Sequence, residues 1–262
     1  MSAKRIPDLF NLSGRTAVVT GVCGNLGPFW VKALLEAGSR VAGLELSGVS
    51  LPPFLQKKSA NNFLLLTADV TKRQDLKKAL TEITRKYGKV SILVNNAGID
   101  ISPQKGKIAE QEDLNRKLWA VNVQGLVNCI FVFAQSMKEN RGSIINIGSL
   151  YLERSPDERL YDHLGFDKPW VYGATKAAVH QVTRHFATRL AKYGIRVNTL
   201  SPGGVFNHQD EGFIGKFIKK VPLGRMAEKD KDLAGPLVFL ASDASAYVTG
   251  INLAVNGGYT AW

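Results

Sequence analysis

Tyr172 and Lys176 stand four residues apart in the run Tyr172-Gly173-Ala174-Thr175-Lys176, which opens a helical pattern reaching about Tyr193. On a helix that spacing stacks the two side chains on one face. A phenol is a poor base at neutral pH, but an ammonium held within a few ångströms favours the phenolate and lowers its pKa. Each unit of that lowering corresponds to roughly 1.4 kcal/mol, so a shift of about three units demands a cation held close in a partly dry site. The same spacing also suits a packed ring beside a solvated ammonium. The elements around the pair must decide between the two.

Those elements alternate strand and helix. Arg15 to Thr20 is a short apolar run that ends in Gly21-Val22-Cys23-Gly24-Asn25-Leu26-Gly27, and a helical pattern follows with Leu26, Trp30, Ala33, Leu34 and Ala37 on one face. Glycines spaced G-x-x-G-x-x-G let the backbone turn tightly and approach a pyrophosphate at a helix N-terminus. The second strand, Arg40 to Leu44, ends at Glu45, about twenty residues beyond the turn. A carboxylate there accepts hydrogen bonds from an adenosine ribose and repels a 2′-phosphate, which predicts NAD over NADP; a solvated strand-end carboxylate is the competing reading. Residues 47–62 read as a loop carrying Pro52-Pro53. Phe63 to Ala68 is a buried strand ending in Asp69-Val70, Lys72 to Tyr87 an amphipathic helix, and Val90 to Val94 a fourth strand ending in Asn95-Asn96-Ala97-Gly98. A helix from about Glu110 to Asn140 carries Asn122 among apolar neighbours, where a lone Asn commonly bonds locally. A fifth strand, Ser143 to Ile147, delivers Ser149 to the same edge of the sheet.

Strands separated by helices imply right-handed crossovers and a parallel sheet, with ligands outside the strands' carboxyl ends. The expected fold is therefore α/β, a single Rossmann-type, doubly wound parallel sheet of about seven strands over residues 1–262. A chain of 262 residues with 45% hydrophobic content can bury such a core. Only Cys23 and Cys129 are present, too few for a disulfide framework or a zinc site, so no metal is expected. Met1 to Phe10 has charges and a proline where a signal peptide needs an apolar core, and no run of eighteen apolar residues occurs. A soluble, cytoplasmic protein with no membrane partner is the expectation. The net charge of +12 is spread in pairs such as Lys57-Lys58 and Lys219-Lys220, with no basic arm or interleaved aromatics, which argues for a solvated surface and against a nucleic-acid partner.

With these residues assembled, the chain from Leu12 to Trp262 resembles the short-chain dehydrogenase/reductase family. The resemblance rests on the Thr20-Gly21 turn, Asp69, the Asn95-Asn96-Ala97-Gly98 run, Asn122, Ser149, Tyr172-x-x-x-Lys176, Ser201-Pro202-Gly203, Pro222-Leu223-Gly224-Arg225 and Asn256-Gly257-Gly258. It implies a catalytic set of Asn122, Ser149, Tyr172 and Lys176. In that set Tyr172 exchanges a proton with the substrate oxygen, Lys176 binds the nicotinamide ribose and lowers the tyrosine pKa, Ser149 hydrogen-bonds the substrate and Asn122 holds a water. The resemblance also places Gly21, Gly24, Asn25, Leu26, Gly27, Asp69, Val70, Asn95, Ala97, Gly98, Pro202, Gly203, Val205 and Asn207 along the cofactor, and it implies a homotetramer or homodimer. Two departures stand out in the cofactor half: Asn25 replaces the usual middle glycine of the turn, and Asn207 stands where many members carry threonine.

The third departure concerns substrate. Ser149 and Tyr172 are separated by 22 residues, a longer segment than the family usually has, and it must lie over or beside the pocket. Its content suits a polar, sugar-like, possibly anionic small molecule: Tyr151 for stacking, and Arg154, Arg159 or Lys168 for a carboxylate or phosphate. A surface or subunit-contact loop is the alternative. Pro156-Asp157-x-Arg159-x-Tyr161 followed by Pro169-x-x-Tyr172 resembles a subgroup associated with bacterial surface-sugar and flagellin modification. The segment near 206–224 resembles the family's substrate lid, with Phe213, Phe217 and Ile218 as its closing face and His208 and Lys216 near substrate. The apolar end Tyr259-Thr260-Ala261-Trp262 is expected at a subunit contact or over a pocket. Two other functions stay open at this point, a 3-oxoacyl-thioester reductase and a non-catalytic NAD-binding sensor.

Overall fold

The computed structural model describes residues 5–53, 55, 61–100, 112–164 and 168–262. The expected helix start at Glu110 and Gln111, part of the 47–62 loop and residues 165–167 of the inserted segment lie outside these.

Seven strands form one parallel sheet: β1 Thr16–Thr20, β2 Arg40–Glu45, β3 Phe63–Thr67, β4 Ile92–Asn95, β5 Gly142–Ile147, β6 Ile195–Pro202 and β7 Asn252–Val255, in the order β3-β2-β1-β4-β5-β6-β7. The crossover helices are α1 Gly27–Glu36, α2 Arg73–Tyr87, α3 Glu112–Trp119, α4 Leu126–Met137, α5 Trp170–Leu190, α6 Glu211–Ile218 and α7 Ala234–Ala241. Every residue of β1 is buried because helices cover both faces. Val18 packs with Leu76 and Ile83 of α2, Ile130 and Phe133 of α4 and Val179 of α5. Ala17 and Val19 point the other way, into Trp30 and Leu34 of α1 and Leu237 and Leu240 of α7. Each fully buried Val or Leu contributes about 1.5–3 kcal/mol, so this double-sided burial is what fixes the strand order.

The helix expected over Glu110–Asn140 is interrupted. Between α3 and α4 the backbone widens into a π-helix over Ala120–Gly125, with Asn122 inside it. The widening breaks the 3.6-residue repeat, which is why periodicity alone does not show it. The continuous run Glu112–Met137 has the length and apolarity to cross a membrane, yet 56% of its most apolar window is buried within this chain, as befits a core helix.

The chain winds from β1 outward to β3 and returns to β4 on the other side of β1, leaving a crevice where the two halves diverge. Asn96 closes the back of it. Its Nδ2 donates to the carbonyls of Thr20 at 3.0 Å and Gly21 at 2.9 Å, and its Oδ1 accepts from the Trp30 indole at 2.8 Å. Trp30→Phe keeps the ring packing but leaves Asn96 Oδ1 short of a donor, so it is expected to lower stability by about 1–3 kcal/mol in urea unfolding and to weaken nucleotide binding through the turn. An unchanged midpoint and unchanged affinity would show that Asn96 does not set the turn.

Candidate active site

A cleft of about 540 Å³ opens along the carboxyl ends of the strands, a size typical of small-molecule and cofactor sites. Its wall takes Gly21, Gly24, Asn25 and Leu26 from the glycine turn, Glu45 from β2, Asp69 and Val70 after β3, Ala97 and Gly98 after β4, Ser149 after β5, Tyr172 and Lys176 from α5 and Pro202 from β6.

The turn is built for close approach. Gly21 has φ +66°, and a Cβ on it would lie 2.8 Å from Ala97 Cα; a Cβ on Gly27 would lie 2.2 Å from the Gly21 carbonyl oxygen. No positive φ is needed at Asn25, so the missing middle glycine is tolerated. Helix α1 begins at Gly27 with no side-chain cap; Pro28 carries no amide hydrogen and the Phe29 and Trp30 amides donate to the Leu26 carbonyl, so the part of the turn that lines the cleft beside the helix is Gly24, Asn25 and Leu26, with Gly27 packed behind it. Glu45 is fixed at the β2 end of the cleft: Oε2 accepts from the Cys23 N–H and Oε1 from the Leu46 N–H, each at 2.9 Å. Burial, then Glu45, push the Cys23 thiol pKa up, which lowers its share of thiolate. Asp69 Oδ1 accepts from the amide of Thr71 at 2.9 Å and its hydroxyl at 2.7 Å, leaving Asp69 and Val70 at the outer end of the cleft.

Several cofactor positions expected from the sequence fall outside the cleft wall. Asn95 turns inward, its Nδ2 donating to Asn146 Oδ1 at 2.8 Å, and the next residue, Asn96, lines the cleft instead, as strand alternation dictates. Gly203 packs against Asn256, Val205 bridges to Ala227 in the core, and Asn207 Oδ1 accepts from Lys229 at 2.8 Å.

At the cleft floor Ser149 hydrogen-bonds the Tyr172 hydroxyl, and Ser149 Oγ also accepts from the Tyr151 amide at 3.2 Å. Lys176 is buried, donates to the Ile147 carbonyl at 2.9 Å and lies 5.8 Å from the centre of the Tyr172 ring. Asn122 is engaged by local partners: Oδ1 accepts from the Ile99 amide at 2.8 Å, and Nδ2 donates to the Ile99 carbonyl at 2.9 Å and to Thr175 at 3.1 Å. Its side chain therefore ties the loop after β4 to α5. The expectation that Lys176 lowers the Tyr172 pKa meets a stronger effect. Burial raises that pKa, Asp100 raises it further, and only the Ser149 hydrogen bond opposes them. Burial lowers Lys176 to about 8 against a smaller opposing effect of Asp100.

The substrate-side candidates separate. Tyr151 is edge-on to Tyr172 at 6.2 Å, with its hydroxyl 3.2 Å from that of Tyr161. Arg154 instead donates to the carbonyls of Thr260 and Trp262, Arg159 pairs with Asp157 at 2.8 Å, and His208 packs on Phe206 at 5.3 Å. None of these three lines the cleft. The inserted segment does meet the lid: Tyr161, Phe213, Phe217 and Tyr259 form one aromatic cluster, while Asp157–Lys220, Asp162–Lys216 and His163–Asp210 pair across it. Tyr259 of the C-terminal end is thus buried in its own chain, stacked on Phe217 at 4.9 Å, although Trp262 is 71% exposed. Sequence reading missed Asn96 and Asp100 as cleft residues; the Asn95-Asn96 doublet was visible, but which of the two faces outward depends on strand register.

A glycine turn at the switch point and a Ser–Tyr–Lys floor define a Rossmann-type oxidoreductase. A family profile described as enoyl-(acyl carrier protein) reductase matches residues 21–260, and the chain belongs to the short-chain dehydrogenase/reductase family. It is 33% identical to a galactitol 2-dehydrogenase (L-tagatose-forming) of Cereibacter sphaeroides, over 97% of this chain and 98% of that one. Among solved structures, a gluconate 5-dehydrogenase from Burkholderia cenocepacia in complex with NADP and tartrate is 30% identical, with 98% and 100% of the two chains covered and a TM-score of 0.83. A short-chain dehydrogenase from Leptospira borgpetersenii with bound NAD+ is 33% identical, with 99% and 97% covered and a TM-score of 0.85.

Lys176 titrates at about 8 in the fold and at 10.5 as a free side chain. Between those values the unfolded chain binds more protons, so this group's contribution to stability rises with pH across that window, and at pH 7 the buried ammonium costs about 3 kcal/mol. Lys176→Met is expected to be more stable than the wild type at pH 7 without added nucleotide, by about 1–3 kcal/mol, with the gap closing as pH rises through the window. A destabilised variant whose deficit is the same at every pH would contradict this.

Proposed function

We propose that this protein is an NAD-dependent oxidoreductase that moves a hydride between nicotinamide and a secondary alcohol or ketone of a polar, sugar-like substrate, with Tyr172 as the acid/base. The observation that carries the reading is the hydrogen-bonded Ser149–Tyr172 pair on the cleft floor with Lys176 buried beside the ring. Oxidation of an alcohol requires removal of its hydroxyl proton as hydride leaves the carbon, and reduction requires the reverse. Ser149 orients the substrate oxygen, Tyr172 takes or gives the proton, and Lys176 supplies the positive charge that favours the phenolate. Asn122 holds the Ile99 loop and α5 in register and so acts as a positioning residue.

The cleft suits a dinucleotide. Gly21, Gly24, Asn25, Leu26 and Gly27 would cradle its pyrophosphate, Asp69 and Val70 its adenine, Ala97 and Gly98 its adenosine half, and Tyr172, Lys176 and Pro202 its nicotinamide end. The nicotinamide, when bound, supplies the hydride acceptor or donor. Glu45 supports NAD, because a 2′-phosphate at the end of β2 would meet a carboxylate already fixed by two amides. The relatives point to sugar substrates: one is named for galactitol and another for gluconate. The charge-paired insertion and lid support a polar ligand over an acyl thioester. Exposed Trp119, Phe131 and Trp170 on α3, α4 and α5 support a homo-oligomer, a tetramer or dimer.

Fluorescence titration with NADH and NADPH, followed by NAD+-dependent oxidation of galactitol and related polyols, tests the reading. Tyr172→Phe is expected to cut kcat by about 10²–10⁴ with NADH affinity unchanged. Glu45→Gln is expected to bring NADPH affinity closer to that of NADH by about tenfold, the loss of a like-charge contact worth about 1.4 kcal/mol. Turnover that survives Tyr172→Phe, or a wild type that prefers NADPH, would overturn the respective assignment.

A further inference from the structure

We propose that His163 is a positioning residue for the substrate: it joins the inserted segment to both ends of α6 beside the cleft floor, and that join sets substrate affinity. The inference rests on the hydride-transfer reading above and deepens it by naming a contact that this chain's own insertion supplies.

His163 lies in a 3-10 turn, Asp162–Leu164, within the segment that separates Ser149 from Tyr172. Its Nε2 is 2.6 Å from Asp210 Oδ1, and the same oxygen accepts from the Phe213 amide at 2.9 Å and so caps α6. An ionised carboxylate only accepts, so Nε2 carries the hydrogen and donates. In the neutral ring Nδ1 is then the acceptor, and Lys216 Nζ, in the last turn of α6, lies 3.2 Å from it while also pairing with Asp162. One imidazole thus meets the start of α6 through one nitrogen and its end through the other.

The backbone of α6 is shaped to this ring. A Cβ on Gly212 would lie 2.6 Å from His163 Nε2 and 3.0 Å from Asp210 Oδ1. Glycine is unfavourable within a helix, and here its bare backbone is what lets the imidazole reach the cap.

From this join a chain of contacts leads to the reacting groups. Tyr161, two residues before His163, packs on Phe213 of α6 at 5.3 Å, and its hydroxyl is 3.2 Å from that of Tyr151. Tyr151 turns its ring edge to Tyr172 at 6.2 Å and donates its amide to Ser149 Oγ at 3.2 Å. A shift of α6 against the inserted segment therefore moves Phe213, and through the two tyrosines it reaches the pair proposed to hold the substrate oxygen. The polar groups of the join are partly exposed, His163 by 30% and Asp210 by 46%. Such groups add little to global stability, so their effect falls on local geometry.

The test is a double-mutant cycle in the full-length protein: wild type, His163→Ala, Gly212→Ala and the double variant, with His163→Gln as the conservative replacement. The readouts are kcat and KM for NAD+-dependent oxidation of galactitol and D-gluconate, NADH affinity, and amide hydrogen exchange over residues 207–220. His163→Ala is expected to raise substrate KM about 3–10-fold with kcat within about twofold, NADH affinity unchanged and exchange over 207–220 faster. His163→Gln, which keeps a donor for Asp210, is expected to recover most of that loss. Gly212→Ala is expected to act like His163→Ala, because its methyl displaces the ring, and to add little once the ring is gone. Effects that multiply in the double variant, a KM that His163→Ala leaves unchanged, or a parallel loss of kcat, KM and NADH affinity would overturn this role and leave the hydride-transfer reading standing. Unchanged exchange over 207–220 in His163→Ala would overturn it whatever the activity. Oxidation of neither compound by protein that binds NADH tightly would overturn the inference together with that reading.

Discussion

Keeping an ammonium dry is the constraint on which the cleft depends. Lys176 reaches the floor from the second turn of α5, where it donates to the Ile147 carbonyl at the end of β5 at 2.9 Å, its one hydrogen-bond partner among the described residues. Burial lowers its pKa toward neutrality and raises that of Tyr172, so the two groups proposed to act together are both held away from their charged forms. A tyrosine in this state donates a proton readily enough when a substrate oxygen gains charge, and becomes a base only when positive charge is concentrated near it. In the proposed reaction this desolvation is what the bound cofactor and substrate would act on.

Around this floor, the packing is divided between different kinds of contact. The floor belongs to the two-sided core, where β1 and the facing helices bury nearly all their apolar area. The lid and the inserted segment join through a smaller cluster of aromatic rings and three exposed or half-exposed charge pairs. Such pairs contribute about 0–1 kcal/mol each, less than the stacking of Phe217 on Tyr259, so they set the register of this contact more than its strength. Tyr259 links the chain's end to the same cluster.

Much of the fold was legible because its signals are local. Apolar runs closing in glycine or asparagine, followed by helical spacing, gave the strands and crossovers of the first half, and seven parallel strands followed from repeating that unit. The residues of the cleft floor were legible from type and spacing, with Tyr172 and Lys176 four apart on one helix and Ser149 just after a strand. What escaped is set by three dimensions. The π turn around Asn122 changes backbone pairing without changing composition. Which of Asn95 and Asn96 faces the cleft depends on strand register. The Asp100–Lys168 pair joins residues 68 positions apart, and a lysine in a hydrophilic loop gives no hint that it is buried. Arg159 is the instructive opposite: Asp157, two residues before it, was in plain view as the partner that takes it out of the running as an anion receptor.

The balance between burial and positive charge at Tyr172 is the centre of this account, and ultraviolet difference titration of tyrosinate measures it directly, comparing wild type with Tyr172→Phe, with and without saturating NAD+. The account predicts that without nucleotide Tyr172 ionises above the ordinary tyrosine value of 10.0, and that NAD+ brings it down. A Tyr172 that ionises below that value without nucleotide, or that NAD+ leaves unmoved, would contradict it.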